Sequence, residues 1–257
     1  QKMGAGVDNI DLAICEDKDI TVARLSAGNA IQVAEHAAMM ILAASRRLIA
    51  LDGRVRRGYW DKEPARGVIQ HVHGKTVGII GLGAIGKRLA RILTGFEVEI
   101  LYCDPIPASA EIEAALAVRR APFEELITSA DIISLHLPLT QESQDMIGAA
   151  EIARMKNGAV LVNCARGGIV DEDAVAKALR DGKLLGAGLD VFRSEPPGTS
   201  ALFDIETAVL SPHCAGATLN NFAAIAARAM ANAEAYLEGQ ALPPDDVVID
   251  PRIVPNA

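Results

Sequence analysis

The sequence predicts an α/β protein built on a doubly wound parallel sheet, with parts of a second domain on both flanks. Three observations carry this expectation. Short β-branched runs alternate with helical segments through the middle of the chain, the βαβα order of a parallel sheet. Several of those runs are apolar at consecutive positions, as strands covered on both faces are. The first of them runs into a Gly-x-Gly-x-x-Gly turn that opens a helix.

In order, the strand candidates are residues 76–80, 98–102, 117–119, 131–135, 159–163, 185–190 and 208–210. Helical patterns between them include 85–93, 123–130 and 171–180. Asp171, Glu172 and Asp173 open the last of these, where the helix dipole favours negative charge. Residues 30–57 read as one long helix, with Val33, Ala37, Met40, Ile41 and Ala44 at helical spacing. Another helix spans 219–238 and ends at Gly239, a C-cap residue. The tail beyond it holds Pro243, Pro244, Pro251 and Pro255 and is predicted extended. The flanks read as one second domain, residues 1–48 and 215–257, around a central domain of 49–214.

At 257 residues the chain fits one to two domains of roughly 150 residues each. Half the residues are hydrophobic, which excludes disorder over most of the chain. Aromatic residues make up only 4%, so the core rests on Ala, Val, Leu and Ile. A net charge of −8 argues against binding nucleic acid by bulk attraction. The one basic run, Arg46, Arg47, Arg54, Arg56, Arg57, Lys62 and Arg66, is diluted by Asp52, Asp61 and Glu63 and reads as a solvated or interface helix. Cys15, Cys103, Cys164 and Cys214 form no C-x-x-C pair, so free buried thiols in a reducing compartment are expected. No apolar run approaches the roughly 18–20 residues of a membrane span. A soluble, cytoplasmic protein is expected, without membrane contact.

The turn Gly81-Leu-Gly83-Ala-Ile-Gly86 is the clearest chemical signal. Gly81 permits a tight turn, Gly83 lets backbone approach a pyrophosphate, and Gly86 lets helix and strand pack closely. The helix N-terminus offers free N–H groups to phosphates. A second strand ends near Asp104, 23 residues after Gly81. A carboxylate there accepts from ribose hydroxyls and repels a 2′-phosphate, so NAD is favoured over NADP. This is the signature of a Rossmann cofactor domain.

Three polar residues follow strand ends on one side of the inferred sheet. Arg166 follows the strand ending at Asn163, Glu195 the strand ending at Asp190, and His213 the strand ending at Leu210. Open α/β sheets bind ligands beyond those ends. A histidine suits removal of a hydroxyl proton while hydride leaves for a nicotinamide. A carboxylate orients the ring and stabilises its charged form. An arginine grips a substrate carboxylate and polarises the adjacent C=O. Taken singly, each has a plainer reading: a loop-capping arginine, a solvated glutamate before two prolines, a structural histidine. His71 and His73 lack a third ligand and read as loop histidines, so no metal is expected.

Five motifs occur in order: Gly-Leu-Gly-Ala-Ile-Gly (81–86), His-Leu-Pro-Leu-Thr (136–140), Asn-Cys-Ala-Arg-Gly-Gly-Ile-Val-Asp (163–171), Leu-Asp-Val-Phe-x-x-Glu-Pro-Pro (189–197) and Ser-Pro-His-Cys-Ala-Gly (211–216). With the early Gly-Ala-Gly-Val-Asp-Asn-Ile-Asp (4–11), the whole chain resembles the D-isomer-specific 2-hydroxyacid dehydrogenase family, which includes D-3-phosphoglycerate and glycerate dehydrogenases. The resemblance implies hydride transfer between NAD and C2 of a D-2-hydroxy or 2-keto acid. Arg166 would bind the carboxylate, His213 would be the acid/base and Glu195 its partner. Ala84 and Ile85 would present backbone to the pyrophosphate, beside Gly81, Gly83 and Gly86. Leu137, Cys164, Ala165 and Gly216 would line the cofactor cleft, Asp190 would face the nicotinamide side, and His136 would lie near the adenine side. Ala5 and Gly6 would offer N–H groups to the substrate.

The same resemblance implies a homodimer whose contact arm is the 30–57 helix. It also implies several βα units ahead of Gly4, so that a flavodoxin-like substrate domain is partial here and apolar surface on residues 10–25 and 219–239 lacks partners. The formate-specific branch carries a glutamine where Glu195 stands. A different class, the NAD(H)-responsive C-terminal-binding-protein corepressors, keeps the same Arg, Glu and His. It stands as the alternative: a binding module without significant turnover.

Overall fold

The computed structural model describes residues 1–252. In chain order the elements are α1 (Leu12–Asp17), β1 (Val22–Ala23), α2 (Ala30–Ser45), α3 (Leu48–Arg56), α4 (Lys62–Arg66), β2 (Thr76–Ile80), α5 (Ala84–Leu93), β3 (Glu99–Cys103), α6 (Ala110–Leu116), β4 (Val118–Arg120), α7 (Phe123–Ser129), β5 (Ile132–Leu135), α8 (Ala149–Arg154), β6 (Ala159–Asn163), α9 (Glu172–Arg180), β7 (Leu184–Leu189), β8 (Ala208–Leu210), α10 (Leu219–Leu237) and β9 (Val247–Ile249). They fall into two compact units, residues 33–215 and residues 1–32 with the chain from 216 onward.

The larger unit is a seven-stranded sheet in the order β4-β3-β2-β5-β6-β7-β8. Every neighbouring pair is parallel. The chain winds outward from β2 through β3 to β4, then returns to β5 on the other side of β2. That reversal is the doubly wound topology, and ligands bind at the crevice where it occurs. The strands predicted from apolar runs form within one residue of the expected bounds.

Both faces of the sheet are covered, which is why the strands read as continuous apolar runs. Ile100, Tyr102, Val160 and Val162 pack toward α2 and α5. Leu101, Leu161, Ile133 and Leu135 pack toward α7, α8 and α9. Side chains alternate faces along a strand, so neighbouring residues feed two separate cores. Ile79, Leu89, Ile133 and Leu126 are fully buried, each stabilising the fold by about 1.5–3 kcal/mol.

The predicted single helix over 30–57 is two helices. Arg47 adopts a left-handed conformation, φ 48°, between α2 and α3. The Ser45 carbonyl, which a continuous helix would satisfy internally, accepts instead from the Gln70 N–H at 2.9 Å. A tertiary hydrogen bond thus replaces the helical one, and no glycine or proline marks the break. Four residues of the basic run are ion-paired: Arg54 with Asp61, Arg56 with Asp52, Arg57 with Glu206 and Arg66 with Glu63. The four cysteines are free thiols.

In the smaller unit β1 pairs antiparallel with β9. The predicted extended tail contains a 3-10 turn at Pro244–Asp246 before β9. The turn forms because Asp246 is drawn into the unit's interior. Its carboxylate accepts from Ser26 N–H and Oγ, Arg228 Nε and Asn232 Nδ2. Burial pushes that carboxyl up, and these hydrogen bonds outweigh it and hold it below the usual range. Gly239 ends α10 at φ 73°, the left-handed C-terminal position glycine favours. Among the described residues no helix is long and apolar enough to cross a membrane.

Candidate active site

The glycine turn lies at the point where the strand order reverses. Gly81 leaves β2 at φ 95°, and a Cβ there would sit 2.3 Å from the His136 carbonyl oxygen at the end of β5. A Cβ on Gly86 would lie 2.2 Å from the Gly81 oxygen. Both positions therefore exclude any side chain. Gly83 differs: a Cβ there would meet nothing within 4 Å. Gly83 is also the N-cap of α5, with no side-chain cap. The first N–H groups of a helix have no intrahelical acceptor, so Ala84 and Ile85 present donors beside open space. This arrangement fits a pyrophosphate.

Asp104 stands at the end of β3. Its Oδ2 accepts from the Leu82 N–H at 2.8 Å and its Oδ1 from the Ile106 N–H at 2.9 Å. The carboxylate is thus tied to the glycine turn and held in one orientation. A carboxylate oxygen has a second lone pair, which suits a ribose hydroxyl.

His136 Nε2 bonds Ser134 Oγ at 2.9 Å, while its Nδ1 is buried without a partner. Burial lowers its pKa to about 4. Leu137 follows it, half-buried. Cys164 is buried with its sulfur 3.8 Å from Met40 Sδ, and burial raises its thiol pKa, so it is not a nucleophile. Ala165 packs into the opposite core. Both side chains are spent on packing, and the Ala165 backbone is engaged as well, its N–H donating to Asn163 Oδ1 at 2.9 Å and its carbonyl accepting from the Arg166 guanidinium at 2.6 Å.

The other end of the site, with the expected acid/base residues, is assembled from three strand ends. His213 Nδ1 and Glu195 Oε2 are 2.6 Å apart. Glu195 Oε1 accepts from the Phe192 N–H at 3.0 Å, which fixes the carboxylate. Arg166 follows β6, and its carbonyl accepts from Asn163 Nδ2 at 2.8 Å. Next to it, Gly167 abuts the Phe192 backbone so closely that a Cβ would lie 1.9 Å from the Phe192 carbonyl carbon. The loops bearing Arg166 and Glu195 are therefore in direct backbone contact, a tie absent from the motif reading.

Asp190 holds a loop, which the motifs did not suggest. It is fully buried, accepting from Ser211 Oγ at 2.5 Å, the Cys214 N–H at 2.9 Å and the Ala215 N–H at 2.9 Å. Its own carbonyl accepts from the His213 N–H at 2.7 Å. It clamps the loop that carries His213, which itself sits at φ 52°. His36 on α2 joins this network through Ser211 Oγ at 2.9 Å. Motif reasoning missed His36. The available signal was a polar residue within the apolar stripe of α2.

Ala5, Gly6 and Gly216 belong to the smaller unit. Ala5 and Gly6 are half-buried in an irregular segment beside Gly4, whose carbonyl accepts from the Leu25 N–H. A Cβ on Gly216 would lie 2.6 Å from Asn29 Nδ2.

Fold and site together define a dinucleotide-binding domain with a histidine–carboxylate pair at the strand ends. Residues 38–215 match the family model of the D-isomer specific 2-hydroxyacid dehydrogenase NAD binding domain. The chain belongs to that family, and its cofactor is NAD. It is 38% identical over 218 residues to a D-3-phosphoglycerate dehydrogenase of Archaeoglobus fulgidus, covering 84% of this chain and 41% of that protein. It is 39% identical over 243 residues to a glyoxylate reductase of Korarchaeum cryptofilum, covering 93% and 73%. A solved formate dehydrogenase from Granulicella superposes with a TM-score of 0.93 at 30% identity, covering 99% of this chain and 68% of that one. The chain thus spans about two fifths of the phosphoglycerate dehydrogenase and nearly three quarters of the glyoxylate reductase.

Proposed function

We propose that this chain carries the cofactor and acid/base machinery of an NAD-dependent D-2-hydroxyacid dehydrogenase. The observation that carries the reading is the His213–Glu195 pair at 2.6 Å, beside the Arg166 loop. Bound NAD supplies the hydride acceptor, or NADH the donor. Gly81, Gly83, Ala84, Ile85 and Gly86 hold its pyrophosphate and Asp104 its ribose. Arg166 binds the substrate carboxylate and polarises the neighbouring C2–oxygen bond. Glu195 occupies His213 Nδ1, which leaves Nε2 to take the C2 hydroxyl proton in oxidation and return it in reduction. Glu195 stabilises the ring while it carries that proton.

The pair favours a hydroxy acid over formate. Formate releases hydride with no hydroxyl proton to remove, so an acid/base dyad has no task there. Asp190 both clamps the His213 loop and bounds the nicotinamide side. Residues 33–215 serve as the cofactor domain, and the smaller unit, with Ala5 and Gly6, as the substrate side. Steady-state NADH oxidation with hydroxypyruvate, glyoxylate and other 2-keto acids tests this. Turnover of at least one is expected. Tight NADH binding without turnover of any would transfer the protein to the corepressor-like class of binding module.

The chain also pairs as a homodimer. Met39, Leu42, Leu48, Ile49 and Val55 on α2 and α3 are exposed, and a pocket of 360 Å³ beside them is lined by Ile49, Leu202, Phe203 and Leu210. Apolar patches of this kind mark association surfaces. Sedimentation equilibrium is expected to return twice the chain mass.

A further inference from the structure

We infer that His36 is a positioning residue for His213, acting through Ser211 and Asp190. The inference rests on the reading of His213 as the acid/base. The hydroxyl proton of Ser211 has one destination. Ser211 Oγ donates to Asp190 Oδ1, because a carboxylate has no proton of its own to give. His36 Nε2, 2.9 Å from the same Oγ, must then be the donor, because the hydroxyl has no second proton to give. The chain of donation runs from His36 Nε2–H to Ser211 and from Ser211 to Asp190.

Asp190 passes this on to the catalytic loop. Its two oxygens also accept the Cys214 and Ala215 N–H groups, one on each. Its carbonyl accepts the His213 N–H. His213 holds φ 52°, a left-handed conformation uncommon for a non-glycine residue. Such a conformation persists only where its surroundings over-determine it. Here three backbone N–H groups in a row, at 213, 214 and 215, end on one buried aspartate. His36 is 15% exposed and its Nε2 lies 3.6 Å from Asp190 Oδ1, so it closes the clamp from the helix side. Donated hydrogen bonds in a series polarise one another. Removing His36 leaves Ser211 Oγ without its donor and loosens the grip on the loop.

Another reading of the same side chains is a metal site, since His36, Asp190 and Cys214 bring ligand atoms within 4.8 Å of one another. The hydrogen bonds decide against it. Asp190 already accepts three protein donors, which spends most of its lone pairs on the loop.

The test uses three variants of the full chain. His36→Phe removes the donor and keeps a planar ring. His36→Gln keeps an N–H near the Nε2 position. Ser211→Ala cuts the link. For His36→Phe, kcat with a 2-keto acid is expected to fall about tenfold, while the NADH dissociation constant changes less than about twofold. Amide hydrogen exchange at 213–215 is expected to speed up. His36→Gln is expected to recover most of both. His36→Phe combined with Ser211→Ala is expected to lose no more than either alone, since the two act in one series. Unchanged kcat and unchanged exchange at 213–215 in His36→Phe overturn the proposal, as does full additivity in the double variant. If the unaltered protein binds NADH but turns over no 2-keto acid, the dehydrogenase reading fails by itself. The exchange rates then decide the His36 clamp alone, and unchanged rates overturn it.

Discussion

The two ends of the nucleotide crevice are built by different means. At the glycine turn, geometry is set by what is missing. Gly81 and Gly86 leave backbone atoms 2.2–2.3 Å from where a Cβ would stand, and the Asp104 side chain is tied to the turn through the Leu82 N–H. At the His213 end, geometry is set by what is present. His213 is held by Glu195 on its ring and by Asp190 on its backbone, with Ser211 and His36 behind. One end is a local sequence feature that fits in about six residues. The other draws on three strand ends and a helix up to 177 positions earlier in the chain, His36 to His213. The local device excludes a side chain at Gly81 and Gly86, and a distributed one degrades by degrees.

The comparison can be broken most sharply at His213. His213→Gln is expected to lower kcat by about 10²–10⁴-fold, the usual contribution of a positioned acid/base, with the NADH dissociation constant nearly unchanged. Steady-state kinetics beside a fluorescence titration of NADH reads both. Loss of cofactor binding instead would make His213 a structural residue.

Gly86→Ala attacks the other end. Alanine is the better helix former, yet overpacking against the Gly81 carbonyl is expected to destabilise the protein by about 2–3 kcal/mol and to weaken NADH. Urea denaturation with the same titration checks this. A neutral result would show that the turn can yield and that its geometry is not set by exclusion.

Asp104→Ala is a smaller change at the same end. It is expected to weaken NAD by about tenfold, one hydrogen bond to a charged group, and to narrow the gap from NADP. Parallel titrations with both cofactors read the ratio, and an unaltered ratio removes Asp104 from the ribose site.

The last effect is on stability rather than on cofactor or turnover, and it lies at His136. Burial lowers its pKa to about 4, so the folded state keeps the ring neutral where an unfolded chain would protonate it near 6.5. The unfolded state then binds more protons as pH falls from 6.5 toward 4, and folding stability drops across that window. The expected loss is about 2 kcal/mol at pH 5 relative to pH 7.5. His136→Gln should flatten that part of the stability curve in urea titrations at the two pH values. An equal slope in both proteins would assign the acid sensitivity elsewhere.

Much of the larger unit was legible because its strands are buried on both faces. Thr76–Ile80 and Ala159–Asn163 show nearly unbroken apolar character, and turn glycines punctuate them. The break at Arg47 was not legible, because nothing in Ser45-Arg46-Arg47 disfavours a helix. It follows from the Gln70 N–H reaching the Ser45 carbonyl. Likewise Asp190 sits within a recognisable motif, but its burial and its three donors come from residues 21 to 25 positions away.

By itself the sequence determined the βαβ order, the glycine turn with its acidic partner, and the set of residue types able to move a proton and grip a carboxylate. These depend on short-range properties: apolar periodicity, the absence of a Cβ, and side-chain chemistry. Only the tertiary structure decided which of those groups meet. It placed Glu195 on His213, pressed Gly167 against Phe192, and brought His36 from α2 beside Ser211 and Asp190 behind the His213 loop. The physical reason is that buried polar atoms must find partners, and which partners are in reach is settled by packing rather than by spacing along the chain.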